Sequence, residues 1–179
     1  MRPASIPSGS RHKKHLGFTL IELVVTIAVL AILATWAVPG FQQFSARNEV
    51  AAEVMRLKTA LALTRNTAIT RRTTITLCPS ADGSGCAITN NADGKAWLAL
   101  LAIFEGRGEP GDVLLRTLGE SRLPTLTYRN DNRPVRYDAL GRSGGYNGTF
   151  RLCGRLTSGA KVIVNNIGRV RVESGRPGC

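Results

Sequence analysis

Residues 17–39 read GFTLIELVVTIAVLAILATWAVP, from Gly17 to Pro39. Between Phe18 and Val38 there are 21 residues and one ionisable side chain, Glu22. At the helical rise per residue this run extends roughly 30 Å, the thickness of a bilayer core. The segment before it carries Arg2, Arg11, Lys13 and Lys14 and no acid. Positive charge on that side predicts a cytoplasmic N-terminus, a single pass through the membrane, and an extracytoplasmic remainder.

A cleaved secretory signal is the alternative. Such a signal has a shorter apolar stretch, no carboxylate within it, and small residues on its far side. Here the small residue, Gly17, precedes the run, and Glu22 lies five residues beyond it. An unpaired carboxylate at mid-bilayer costs about 2.5–3.5 kcal/mol on insertion scales, so Glu22 needs a partner.

The segment Gly17-Phe18-Thr19-Leu20-Ile21-Glu22, with its basic leader and Pro39, resembles the class III signal of type IV pilins and type II secretion pseudopilins. The resemblance implies a leader of residues 1–17, cut by a prepilin peptidase between Gly17 and Phe18, with methylation of the new Phe18 amine. It implies that Glu22 neutralises the N-terminal amine of a neighbouring subunit in a filament. Pro39 falls where pilins commonly soften or kink the helix.

Beyond residue 39, about 140 residues remain, enough for one domain with its own core. The chain has a net charge of +12, unevenly placed: residues 18–120 balance nine basic against nine acidic side chains, whereas residues 121–179 hold eleven basic and three acidic. An excess confined to one third of the chain points to an anionic partner such as nucleic acid or a phospholipid surface.

Val50, Val54, Leu57 and Leu61 recur at helical spacing, with Arg47, Glu53, Arg56 and Lys58 largely off that stripe. This predicts an amphipathic continuation over 40–71 of the filament-core helix at 18–39. From Arg72 the pattern turns to β, over 72–179. Thr73–Leu77 reads as a strand, Ala96–Phe104 as a buried strand, and Val113–Arg116 and Leu126–Arg129 as short strands. Further strands are expected at Thr149–Cys153 and Ala160–Val164. The fold class is α+β: a long N-terminal helix packed on a domain of antiparallel β-sheet.

Cys78, Cys86, Cys153 and Cys179 face an oxidising compartment under this topology, so two disulfides are expected from three possible pairings. A Cys78–Cys86 bridge closes nine residues and is worth about 2.5 kcal/mol; a Cys153–Cys179 bridge closes 27 and would tie down the tail for about 3.5 kcal/mol. No Cys-x-x-Cys spacing occurs and both histidines, His12 and His15, lie in the leader, so neither a metal nor another cofactor is expected.

LCPSADGSGC, the strand from Trp97 to Phe104 and TFRLCG resemble minor pilins and pseudopilins of the GspH/FimT class. Gly168-Arg169-Val170-Arg171 is similar to the Gly-Arg-x-Arg motif of FimT-type minor pilins, which implies DNA binding in natural transformation. In an extended run, Arg169 and Arg171 share one face about 7 Å apart, near the phosphate repeat of a nucleic-acid strand. Guanidinium forks suit phosphate. Gly168 and the Asn165-Asn166 pair are expected to leave the approach flexible and open. Arg176, Lys161, Arg155 and Arg142 are basic neighbours of the motif. Few aromatic residues are interleaved, which favours sequence-independent phosphate contact over base stacking.

These readings predict a non-enzymatic minor pilin. It is held in the inner membrane with a periplasmic domain, then assembled with major and minor pilins into a pilus or pseudopilus at the cell surface. There it binds extracellular double-stranded DNA. The alternative is a structural minor pseudopilin or priming pilin of a type II secretion system or twitching-motility pilus, whose basic tail meets only acidic sister subunits. An enzyme is the remaining class. The part beyond the leader has no histidine, and Glu105, Glu109, Asp112, Asp131 and Asp138 have no spacing suited to an acid/base pair.

Overall fold

A computed structural model describes residues 19–87, 96–129, 131 and 133–175. The chain divides into two compact units, Met1–Gly40 and Phe41–Cys179. One helix, α1 (Leu20–Arg71), contributes to both and includes Pro39. It opens on Thr19, whose Oγ1 accepts the Glu22 backbone N–H at 3.3 Å, a threonine cap with Glu three places on. In the first unit every described residue is exposed, including Leu20, Ile21, Leu30 and Leu33. A helix apolar on all sides is one that lipid or other helices must cover.

In the second unit α1 buries Ala46, Val50, Val54, Leu57, Ala60, Leu61 and Ala68. The apolar stripe read from the sequence is therefore the buried one. Glu53 departs from expectation: it is 6% exposed. It is tolerated there because Arg56, one turn on, donates to its Oε1 from Nε at 2.9 Å and Nη2 at 2.7 Å. The helix ends where Arg72 adopts φ 52° and Thr73 N–H donates back to the Ala68 carbonyl at 3.2 Å, a Schellman-type cap.

Among the described residues eight strands follow: β1 (Ile75–Pro79), β2 (Leu101–Glu105), β3 (Val113–Leu118), β4 (Thr125–Thr127), β5 (Val135–Tyr137), β6 (Gly148–Cys153), β7 (Gly159–Val164) and β8 (Val170–Ser174). They form two antiparallel sheets, ordered β3-β2-β1-β5 and β4-β6-β7-β8. The stretch expected as one strand from Ala96 to Phe104 is split. Ala96–Leu98 is a 3₁₀ turn, and pairing begins only at Leu101. The turn sends Trp97 into the core, edge-on to Tyr128 at 5.1 Å and to Phe150 at 4.9 Å, while Tyr128 and Phe150 stack at 4.2 Å. Such pairs contribute about 0.5–1.5 kcal/mol each beyond their burial. Strand β5 was not anticipated.

The Cys78–Cys86 disulfide is present, closing the loop after β1. Cys153 is not free. Its expected partner Cys179 lies outside the described residues, as do Gly17, Phe18 and Arg176.

Candidate nucleic-acid interface

Strands β6 and β7 alternate strictly. Phe150, Leu152, Ala160, Val162 and Val164 point into the core, which sends Arg151, Lys161 and Ile163 to the outer face of the second sheet. The register sets Arg151 directly opposite Lys161, Lys161 opposite Glu173, and Ile163 opposite Arg171. A like-charge cross-strand pair such as Arg151 and Lys161 disfavours the fold by some tenths of a kcal/mol. Among the described residues neither has an ion-pair partner.

The three acids of this third are already engaged. Asp131 takes both Arg129 and Arg133, and the Arg129 hydrogen bonds, one at 2.8 Å, hold its carboxyl below the usual carboxylate range. Asp138 turns inward on its own loop, accepting from Leu140 N–H at 2.9 Å and Arg142 N–H at 2.8 Å. Glu173 lies 3.3 Å from Arg171, whose side chain is nevertheless 72% exposed.

The Gly168-Arg169-Val170-Arg171 motif occupies the β7–β8 hairpin. Gly168 N–H donates to the Asn165 carbonyl at 2.9 Å, and Asn165 N–H donates to the Arg169 carbonyl at 3.0 Å. Gly168 has φ +77°, the left-handed residue that closes a three-residue hairpin loop. The expected open and flexible approach is corrected: Gly168 is buried, and a Cβ there would lie 2.0 Å from the Gly141 carbonyl oxygen. Ser143 N–H also donates to the Asn166 carbonyl at 2.9 Å, so the two loops are clasped.

Arg65 of α1 fastens both. Its Nε donates to the Gly141 carbonyl at 3.0 Å and its Nη2 to the Ile167 carbonyl at 3.3 Å. Arg65 carries no signal in the sequence, since a lone arginine on a helix reads as a solvated face.

The arginine pair is also less symmetrical than expected. Strand β8 begins at Val170, so Arg169 stands at the mouth of the turn, with its N–H held by Asn165 Oδ1 at 2.8 Å, while Arg171 is inside the strand beside Glu173. Arg155 is a second correction. It lies on the β6–β7 turn, at the opposite end of β7 from Arg169, and its guanidinium is ion-paired with Glu49, Nε to Oε2 at 3.2 Å. Lys161 does lie on the charged face, and Arg142, exposed, follows the Gly141 that touches Gly168. Arg151 was missed; pairing the two expected strands around the turn would have set it against Lys161.

The nearby aromatics are committed elsewhere. Phe150 is buried, and Arg136 stacks 4.3 Å over the Tyr146 ring while donating to its hydroxyl at 2.6 Å. What remains is a cluster of cations that can meet phosphates without reading bases. Among the described residues no group of His, Cys, Asp and Glu is placed to hold a metal ion.

A long apolar-to-amphipathic helix leading into antiparallel sheets is the organisation of a pilin-type subunit. The type II transport protein GspH family matches residues 53–168, and the prokaryotic N-terminal methylation motif matches residues 12–38. The chain belongs to the GspH family, as a minor pilin or pseudopilin. In fold it matches the crystal structure of the type IV minor pilin FimU of Pseudomonas aeruginosa with a TM-score of 0.54. That match has 23% identity and covers 73% of this chain and 92% of that one. A type IV major fimbrial protein FimA of Dichelobacter nodosus is 35% identical over 113 residues, 58% of this chain and 67% of that protein. Two fimbrial proteins of Pseudomonas aeruginosa are 47% identical over 51 residues, 27% of this chain, which spans 33% of their length.

Proposed function

We propose that this minor pilin binds extracellular double-stranded DNA through the outer face of its second sheet, for natural transformation. The observation that carries the reading is the cluster of Arg151, Lys161 and Arg171 on one face, with Arg169 beside it, against the single acid Glu173. Arg176 joins it if the tail follows β8, and a Cys153–Cys179 bridge would hold that tail down. Cleavage after Gly17, methylation of Phe18 and pairing of Glu22 with a neighbour's amine would carry the subunit from the inner membrane, with its domain in the periplasm, into a surface pilus.

Contacts to phosphate alone make affinity independent of sequence and steep in salt. One copy binds weakly, and several copies in a filament raise the effective affinity. A second reading is favoured by one observation, the 3.3 Å approach of Glu173 to Arg171. A face that presents an acid beside its cations suits the mixed charges of a sister subunit in a pseudopilus better than a uniformly anionic duplex.

The test is transformation frequency in cells whose only copy carries Arg169→Ala and Arg171→Ala. The proposal expects normal piliation with a loss of transformation. Normal transformation overturns it, and loss of piliation favours the sister-subunit reading.

A further inference from the structure

The β6–β7 turn is built against residue preference. Ser158 N–H donates to the Arg155 carbonyl at 3.1 Å around Leu156 and Thr157, whose φ values are 52° and 63°. Two central residues with positive φ make a type I′ turn, which favours Asn-Gly and penalises leucine and β-branched threonine. Leu156 is nonetheless presented outward, 57% exposed.

It does not stand alone. Leu156 and Arg155 line a cleft of about 330 Å³ with Phe41, Gln42, Ser45 and Ala46 of α1. Phe41 is 71% exposed, and Phe44, one turn on, is 62% exposed. The turn is fixed to the helix at that level by Ser158 Oγ, 3.3 Å from the Ala46 carbonyl, and by the Arg155–Glu49 ion pair. A strained turn that holds an apolar side chain in water beside two exposed phenylalanines is a feature that folding alone does not explain.

Residue count limits what can cover it. The apolar run ends at Val38, so Phe41 to Ala46 lie three to eight residues beyond it. At the helical rise that is no farther than roughly 12 Å. The headgroup band on each side of the hydrocarbon core is about 5–8 Å deep, so this patch is confined to the lipid interface or its edge. Apolar side chains seated at the acyl boundary, with arginines reaching the phosphates, are how a surface binds there.

We propose that the β6–β7 turn is a membrane-surface anchor. Leu156, Phe41 and Phe44 enter the interface of a phospholipid bilayer while Arg47, exposed on the same stretch of α1, meets its headgroups, docking the domain on the membrane before assembly. The proposal rests on residues 20–38 crossing that bilayer.

The full chain in vesicles of phosphatidylethanolamine and phosphatidylglycerol tests it, with p-benzoylphenylalanine placed singly at positions 156, 41, 30 and 140. Position 30 reports the span. Leu140, 68% exposed, lies beside Gly141 at the Arg65 level of α1, about 30 Å along the helix from Ser45. Photolysis is expected to give lipid adducts at 156, 41 and 30 and none at 140. Adducts at 30 but not at 156 and 41 overturn the proposal while leaving the span intact; adducts at none remove the span and the proposal together. Cross-links from 156 and 41 to a second polypeptide, instead of lipid, also overturn it.

Leu156→Asn is the independent check, because asparagine suits the left-handed position. It is expected to raise Tm by a few degrees and to lower the yield of lipid adducts from position 41 in the same vesicles. A lower Tm would make Leu156 a packing residue and contradict the proposal.

Discussion

A Cβ on Gly168 would lie 2.0 Å from the carbonyl oxygen of Gly141. That approach, beside the Ser143–Asn166 hydrogen bond, joins the hairpin bearing the arginines to the loop after β5. Gly168→Ala therefore faces both a backbone clash and a positive φ. It is expected to destabilise the domain by at least about 2–3 kcal/mol. Gly145→Ala, at φ +75° with open space around it, isolates the backbone cost and should lose only about 1 kcal/mol. Paired thermal melts of the two variants measure the difference.

Arg65 supplies the same junction with charge. Its two hydrogen bonds go to the Gly141 and Ile167 carbonyls, and bonds to a charged donor are worth about 1.5–3 kcal/mol each. Arg65→Met should lower stability by about 2–4 kcal/mol. It should also weaken DNA binding, although every exposed arginine of the outer face is intact. Arg65→Lys should recover only part of either, because its donors all radiate from one nitrogen and lack the planar span from Nε to Nη2 that reaches the two carbonyls. Denaturant unfolding beside DNA titration checks both effects.

Glu173 works against the proposed partner. Removing its charge with Glu173→Gln frees Arg171 and leaves Lys161 without its one acidic cross-strand neighbour. Surface pairs of this kind are worth about 0.2–1 kcal/mol, so DNA affinity at low salt should rise by up to about fivefold. Unchanged or weaker binding would place the DNA contact away from β8.

Alkaline pH should unfold the domain through two buried tyrosines. Burial pushes the Tyr137 hydroxyl up to about 12, and burial likewise drives Tyr128, whose hydroxyl donates to the Tyr146 carbonyl at 2.6 Å, well above its ordinary value. Both raised values belong to the folded state, while an unfolded tyrosine ionises near 10. Their stabilisation is complete below about pH 10 and is lost as pH rises towards the folded values. Melts should be flat from neutrality to about pH 9.5 and fall above it, and Tyr137→Phe should flatten that fall.

The long helix was legible because burial repeats with its period: Val50, Val54, Leu57 and Leu61 are all in the core. The burial of Glu53 is not legible in the sequence because its partner Arg56 offsets the cost, a pairwise fact that periodicity does not contain. The Ala96–Phe104 error has the same root, since Trp97 leaves the sheet to meet Tyr128 and Phe150, residues distant in sequence. Strand β5 is only Val135–Tyr137, too short for alternation, and exists through its pairing with β1. Within the proposed interface the Gly-Arg-Val-Arg motif could be read directly. Arg151 needed the β6–β7 register, Arg65 a helix-to-loop contact, and the loss of Arg155 to Glu49 a salt bridge spanning the domain.

The most direct test is titration of the full chain in detergent with a short duplex DNA over a range of salt, beside variants Arg169→Ala/Arg171→Ala and Arg151→Ala/Lys161→Ala. Four phosphate contacts predict a log–log salt slope of roughly −3.6 for the parent and about half that for each pair of substitutions. Affinity should be independent of sequence. Equal slopes and affinities in all three proteins, or no binding by the parent at low salt, would contradict DNA binding at this face and leave its cations to a sister subunit.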